Sequence, residues 1–213
     1  MSALVTCADV AAMRDDLYTA RALIAEGDLL ARELKTRALV TVAAEVALLA
    51  GDGREAEGLL RAELEALERI GDWGHYVSVV PPFVDALVLQ GRGEESRRAV
   101  ELAARYTCED DMDAQIGLRC SQVARLLLEG DLVAAEERVR DGVKIAARSD
   151  FSKGRIKALS ALAEVLRVTN RHREARAVLE EAITVAEQKG SIAHVRILRA
   201  TLESLAVQPP ATA

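Results

Sequence analysis

Apolar residues recur along the chain at the three- and four-residue spacing of a helix rather than with the alternation of a strand. One such stripe consists of Ala158, Leu159, Leu162, Ala163 and Leu166. Short polar breaks that contain glycine, asparagine or aspartate separate the stripes, and helices commonly end at such residues. The pattern therefore predicts an all-α fold.

The breaks between the stripes are regularly spaced and indicate an internal repeat. Four loops begin 40, 39 and 40 positions apart, at Gly51, Gly91, Gly130 and Asn170. A second series of breaks, 39, 39 and 40 positions apart, falls at Asp72, Asp111, Asp150 and Gly190. Two breaks in each period predict two helices per repeat. Because one helical hairpin cannot bury its apolar face alone, neighbouring hairpins are expected to stack.

These breaks divide the chain into predicted helices at 8–26, 29–50, 53–70, 74–90, 93–108, 112–129, 132–149, 152–169, 172–188 and 190–206. Gly27 precedes Gly51 by only 24 residues, so the first helix is expected to be the second half of an incomplete repeat. The last helix is expected to act as a cap. We predict a single domain over 1–206 and a disordered tail over 207–213, which contains Pro209 and Pro210.

Two local features support this division. A small residue stands five positions after the start of each loop, at Ala56, Ser96, Ala135 and Ala175. Small side chains allow two helices to approach closely, so the three alanines are expected to be buried where the helices of a hairpin cross. Asp52 followed by Glu55 resembles a capping box at the start of the next helix.

Composition narrows the class of protein. Half of the 213 residues are apolar but only 3% are aromatic, so the core must consist of alanine, leucine and valine. The formal net charge is −6, and acidic and basic residues are interspersed, which disfavours nucleic-acid binding. No stretch approaches the roughly 20 apolar residues that span a bilayer, and no secretory leader pattern is present. Together with three cysteines that form no paired motif, this predicts a cytoplasmic protein.

The sequence offers no motif for catalysis. A phosphate-binding loop and an H-E-x-x-H zinc motif are both absent. The three histidines, His75, His172 and His194, lie far apart on different predicted elements. We therefore predict no enzyme activity, no catalytic residue, no metal and no cofactor.

The loop pattern G-[DR]-x-x-E-A resembles the tetratricopeptide repeat (TPR), although the period is longer than the usual length of about 34 residues. Residues 110–205 are similar to the C-terminal helical array of actinobacterial proteins that join a class III adenylate cyclase to a predicted ATPase, and to LuxR-type regulators with the same ATPase. The similarity lies in DAQ at 113–115, GDLVAAE at 130–136, LAEVL at 162–166 and LEEA at 179–182. It implies a right-handed superhelix of about four to five repeats.

A TPR array implies a concave groove lined by the first helix of each repeat. Aligning the loops to the TPR turn selects Thr41, Glu45, Ser78, Asp85, Cys120, Lys157, Ser160, Glu164 and Arg167 as candidate binding residues. Glu45, Asp85 and Glu164 occupy the same position in three repeats, so the groove is expected to be acidic. The aliphatic residues nearer each loop either pack helix against helix or form an open apolar groove.

Trp73, His75 and Tyr76 cluster at the start of the fourth predicted helix, shortly before Pro81 and Pro82. Consecutive prolines inside a helix are expected to kink or restart it. The cluster is either an irregular corner between repeats or a local opening that admits a ligand. Under the second interpretation, Trp73 and Tyr76 are also candidate binding residues.

The resemblance implies a non-catalytic, regulatory protein-interaction module of a bacterial signalling protein. Its partner would be a protein or peptide, including other domains of a parent protein, and a homodimer is compatible with this interpretation. The alternative is a sensor domain that binds a small molecule or peptide in the groove. Neither hypothesis involves nucleic acid or a membrane.

Overall fold

The computed structural model describes residues 2–34 and 40–207, and within them it contains eleven α-helices, one short 3-10 helix and no strand. The helices are α1 (Ser2–Met13), α2 (Leu17–Leu34), α3 (Val40–Leu49), α4 (Gly53–Ile70), α5 (Trp73–Leu89), α6 (Arg97–Tyr106), α7 (Met112–Glu129), α8 (Leu132–Ala146), α9 (Ser152–Val168), α10 (His172–Lys189) and α11 (Ile192–Val207). The all-α prediction is confirmed. None of these helices is long and apolar enough to cross a membrane.

The N-terminal helices differ from the prediction. The expected helix over 8–26 is wrong, because α1 ends at Met13 and the chain turns at Asp15, which has a positive φ of 64°. Aspartate tolerates this left-handed conformation, and the Asp16 side chain then accepts a hydrogen bond from the Thr19 N–H at 3.0 Å. Gly27 does not end a helix but is buried inside α2. The segments α1 and α2 therefore form a complete hairpin rather than half of one.

The expected helix over 29–50 is also replaced. Its first part belongs to α2, its last part is α3, and residues 35–39 lie outside the described residues. The predicted helix over 93–108 is divided into a 3-10 helix, Gly93–Ser96, and α6. Most of the predicted tail, residues 208–213, also lies outside the described part, while Val207 is the last residue of α11.

The loops that define the sequence repeat share one backbone geometry. Gly51, Gly91, Gly130 and Asn170 all have positive φ, at 79°, 70°, 78° and 57°. Two of the helices that follow these loops, α4 and α8, begin with aspartate caps. The Asp52 side chain accepts from the Glu55 N–H, as half of a capping box does, at 2.9 Å. The Glu55 carboxylate, however, pairs with Arg21 on α2 at 2.8 Å.

The small residues at the fifth loop position are fully buried, as predicted. Ala56, Ala135, Ala175 and the hydroxyl residue Ser96 each have 0% exposure. The Ser96 hydroxyl is satisfied by donating to the Gly93 carbonyl at 2.6 Å. Around these positions the core consists largely of alanine, leucine and valine.

The helices form an inner and an outer series. In the inner series α3, α5, α7 and α9 contact one another in turn, while α4, α6, α8 and α10 pack on the side away from the centre. The first described helix, α1, contacts both α3 and the last described helix, α11. Arg196 on α11 strengthens this junction by binding the Asp15 carboxylate at 2.8 Å and the Leu49 carbonyl at 3.1 Å. The inner helices therefore surround a central space.

Candidate functional site

The central space is a cavity of about 980 Å³ lined by α1, α3, α5, α7, α9 and α11. Its walls are largely apolar and include Leu48, Val77, Pro81, Val88, Ile116, Val123, Leu127, Ile156 and Val168. The sequence left open whether such aliphatic residues close the groove or leave it open. None of the six leucine and valine residues concerned is buried: Leu48, Leu49 and Leu127 are half-buried, whereas Val88, Leu89 and Leu128 are exposed. All but Leu89 line the cavity, which favours the open groove.

Most of the sequence-predicted residues meet at this cavity. It is lined by Thr41, Glu45, Ser78, Asp85, Cys120, Lys157, Ser160 and Glu164. Three candidates, Arg167, Trp73 and Tyr76, lie outside the described lining. The alignment of the four loops therefore brings together residues from α3, α5, α7 and α9 that are distant in sequence.

The aromatic candidates belong to the packing between helices and not to the cavity wall. Tyr76 is 3% exposed, and its ring meets the Trp73 ring edge to face at a centroid distance of 5.7 Å. The Trp73 ring stacks on Tyr106 of α6, with centroids 4.3 Å apart and planes 3° apart. These contacts favour the irregular corner between repeats, and ligand binding by Trp73 and Tyr76 stays a prediction.

The predicted helix over 74–90 is continuous, because α5 runs through Pro81 and Pro82 without the expected restart. Helix α7 leaves room for the prolines at Gly117. A Cβ atom at Gly117 would lie 2.7 Å from Pro81 Cγ, so only glycine permits this contact between the two helices. Both prolines line the cavity, and their missing N–H groups leave the carbonyls of Val77 and Ser78 without helical donors.

Two of the three acidic residues predicted for the groove, Glu45 and Asp85, pair with lysines across the cavity. Lys153 on α9 bridges two carboxylates, with Nζ in contact with Asp9 and 3.1 Å from Glu45 Oε2. Lys157, one turn further along α9, binds Asp85 Oδ2 at 2.5 Å. Burial alone would lower the pKa of each lysine, but the adjacent carboxylates outweigh it and raise both pKa values above the ordinary lysine value.

Other lining groups are in different electrostatic surroundings. Glu164 is held within its own helix by Arg167, with Oε1 2.6 Å from Nη2. No cation in the described part of the chain pairs with Asp113. Asp113 is at an exposed position, where partial burial of its carboxyl group and the nearby Asp111 carboxylate raise its pKa. Some carboxylates of the cavity wall therefore have a cationic partner among the described residues and others do not.

The remaining titratable residues in the lining are Cys120 and His194. Burial raises the pKa of the Cys120 thiol to about 11, although Lys157 opposes this. Burial and Lys153 lower the pKa of His194. At neutral pH the cysteine is therefore a protonated thiol and the histidine a neutral imidazole. Cys7 and Cys108 are exposed.

Three important lining residues were not predicted: Asp9, Lys153 and His194. Lys153 could have been found, because it lies four residues before Lys157 and hence on the same helical face. Asp9 was missed because α1 was assigned to the outer position of a hairpin. His194 lies on α11, which has no counterpart among the four aligned loops.

No group of three or more histidine, cysteine, aspartate or glutamate residues in the described part of the chain is arranged to hold a metal ion. No protein-family model matches the chain, and no curated protein matches it.

Proposed function

We propose that this chain is a non-catalytic binding domain, with a TPR-like right-handed superhelical arrangement, that holds a small molecule or the end of a peptide in its central cavity. The observation that carries the proposal is the cavity itself. Its volume of about 980 Å³ lies at the upper end of the range for drug-sized ligand sites. Apolar walls with a few convergent polar groups are the usual composition of such sites.

The state of the polar groups supports binding rather than chemistry. A general base or a nucleophile needs a pKa near the working pH. For three of the cavity groups, Lys153, Lys157 and Cys120, the pKa is shifted further from neutrality. Charged lysines and a protonated thiol can anchor or exclude a ligand, but they do not activate one.

A protein partner is the second candidate function, as expected for an interaction module of a signalling protein. Four exposed aliphatic residues near the ends of α5, α7 and α9 support it: Val88, Leu89, Leu128 and Val168. Three of them, all but Leu89, also line the cavity. A peptide entering the cavity could therefore extend onto this aliphatic edge.

The proposal can be tested by filling the cavity. Ala124 occupies the position that holds Glu45, Asp85 and Glu164 in the other repeats, so this position of the inner helices accommodates a larger side chain. We expect Ala124→Trp to abolish the fluorescence enhancement of Nile red, a neutral apolar dye, because the indole would fill the space in the cavity that the dye needs.

Ala104→Trp, at an exposed position of α6, is the matched control and should leave dye binding unchanged. Circular dichroism of both variants checks that they fold. Undiminished dye binding by a folded Ala124→Trp protein would show that the cavity is not the binding site.

A further inference from the structure

The cavity lining carries an excess of negative charge. Among its described residues are two lysines, Lys153 and Lys157, and six carboxylates: Asp9, Glu45, Asp85, Asp111, Asp113 and Glu164. Arg167 supplies a third cation from outside the lining by pairing with Glu164. Three cations against six carboxylates leave three negative charges without a neutralising partner.

The uncompensated charges can be located. Asp9 and Glu45 share the single ammonium group of Lys153, so one charge of this pair remains. Asp113 has no cationic partner among the described residues. Asp111 caps α7 by accepting from the Ala114 N–H at 2.9 Å, an interaction with a dipole rather than with a full charge.

Backbone acceptors add to this imbalance. Because Pro81 and Pro82 have no N–H groups, the carbonyls of Val77 and Ser78 lack their usual donors four residues later in α5. Both residues line the cavity. Val77 is buried whereas Ser78 is exposed, and an acceptor that has lost its helical donor in a buried residue favours a partner that can donate a hydrogen bond. A ligand with donor groups therefore suits the wall better than one with further acceptors.

On the premise of the proposed function, we propose that the ligand is an amphipathic cation: an apolar body that fills the aliphatic part of the cavity and carries a protonated amine. The amine would bind the carboxylates that lysine does not neutralise, at the Asp9–Glu45 pair or at Asp113. Complementary charge selects among ligands of similar shape, and an ammonium group supplies both the charge and the donors.

An anionic ligand would meet the opposite conditions. It would have to displace Asp9, Glu45 or Asp85 from the lysines, and each displaced carboxylate would remain in the cavity without its partner. Such a ligand exchanges one ion pair for another and adds a negative charge to a cavity that already carries an excess of them. The same amphipathic body with a carboxylate in place of the amine should therefore bind much more weakly.

Three dansyl probes of equal apolar size separate these cases when titrated into the full chain and followed by fluorescence. They are dansylcadaverine, which is cationic, its neutral N-acetyl derivative, and dansyl-6-aminohexanoate, which is anionic. We expect the cation to bind on the order of tenfold more tightly than the neutral probe, as expected for one charged hydrogen bond. This preference should largely vanish at about 1 M salt, where the screening length is about 3 Å.

The decisive variant is Asp113→Asn, because it removes a negative charge without breaking an ion pair. It should reduce the preference for the cation severalfold and leave the neutral probe unaffected. Glu45→Gln should act in the same way, whereas Glu101→Gln, at an exposed position of α6, should change neither. Circular dichroism verifies folding of each variant.

Failure of the inference and failure of the proposed function would look different. Equal binding of the three probes, or tighter binding of the anion, would overturn the cationic ligand but leave the cavity as a binding site. Binding of none of them, or binding that Ala124→Trp does not block, would contradict the cavity as the site. A cation preference that Asp113→Asn and Glu45→Gln both leave unchanged would also overturn the assignment.

Discussion

Ion pairs occupy two regions of this molecule, and they are organised differently. On the outer side, arginine and glutamate residues join hairpins that follow one another in the chain. Inside the cavity, Lys153 and Lys157 join α9 to α1, α3 and α5, across 72 to 144 residues of sequence. One arrangement of outer pairs occurs twice in equivalent form, whereas each inner pair occurs once.

The outer pairs form two matching networks. In each, an arginine directly after a loop start binds a glutamate of the preceding hairpin and a second glutamate three residues later. Arg92 Nη1 lies 2.7 Å from Glu57 Oε2, and Arg171 Nη1 lies 2.6 Å from Glu136 Oε1. Each member of one network is 79 residues from its counterpart, or two sequence periods: Glu57, Arg61, Arg92 and Glu95 correspond to Glu136, Arg140, Arg171 and Glu174.

The difference shows which contacts a repeat encodes. A contact between neighbouring hairpins depends only on local geometry, so it recurs when the residues recur. A contact across the cavity depends on the curvature accumulated over several hairpins, so it has no counterpart one period away. The outer networks therefore act mainly on stability, and the inner pairs act mainly on the shape and charge of the cavity.

The substitution Glu57→Ala is the strongest test of the distinction between the outer networks and the inner pairs. The Glu57 carboxylate is 12% exposed and accepts from Arg61, Arg92 and Gln90, so its loss leaves several partners unsatisfied. We expect the free energy of unfolding to fall by about 2–3 kcal/mol, less than for a fully buried pair because both arginines can rehydrate. Urea denaturation measures the change.

The equivalent change in the second network serves as its comparison. Glu136→Ala, at a side chain with 27% exposure, should cost about 1–2 kcal/mol. A Glu57 variant as stable as the parent protein would show that the outer networks do not hold the hairpins together.

Acid should weaken the first outer network in a defined pH range. Hydrogen bonding from Arg61, with further contributions from Gln90 and Arg92, lowers the pKa of Glu57 to about 2 despite the opposing effect of burial. A lowered folded-state pKa means that the stabilisation is complete above the ordinary value of 4.5 and is lost as the pH falls toward 2. We expect this carboxylate to account for about 1–3 kcal/mol over that range.

The measurement is the denaturation midpoint as a function of pH, made in parallel on Glu57→Gln. The variant lacks the titrating group, so its curve should be flatter between pH 4.5 and 2. Two curves of identical slope would mean that other carboxylates account for the acid sensitivity.

The contrast between contacts that recur with the repeat and contacts that occur once also explains which features could be predicted from the sequence. Periodicity located α4, α5 and the helices from α7 to α11, because these features repeat. The alignment of the loops to the TPR turn selected eight of the lining residues. Periodicity did not locate α1 and α2, because Gly27 resembles the glycines that begin the loops although it lies inside α2. The chain turns at Asp15 instead. The partners of Glu45 and Asp85 could not be predicted either, because the side chains opposite them depend on the curvature of the whole array.

The smallest effect on stability is expected at the inner pairs. Lys153→Met should change the free energy of unfolding by less than about 1 kcal/mol, since both carboxylates are partly exposed and the methionine fits the apolar wall. It should nevertheless raise the affinity for dansylcadaverine, because it frees two carboxylates. Thermal denaturation and the probe titration measure the two effects.

Lys144→Met, on the exposed outer surface of α8, is the matched control. A large loss of stability from Lys153→Met, with none from Lys144→Met, would mean that the inner pairs hold the fold together.

The contact between α1 and α11 has a consequence for how this chain can evolve. An open helical array can gain or lose a hairpin at either end or in its middle and remain an array. Here, inserting or deleting one period of 39 or 40 residues between α3 and α9 would move Lys153 away from Asp9 and Arg196 away from Asp15. The number of hairpins is therefore fixed by the geometry of the closed ring, and related chains should vary in loop length rather than in repeat copy number.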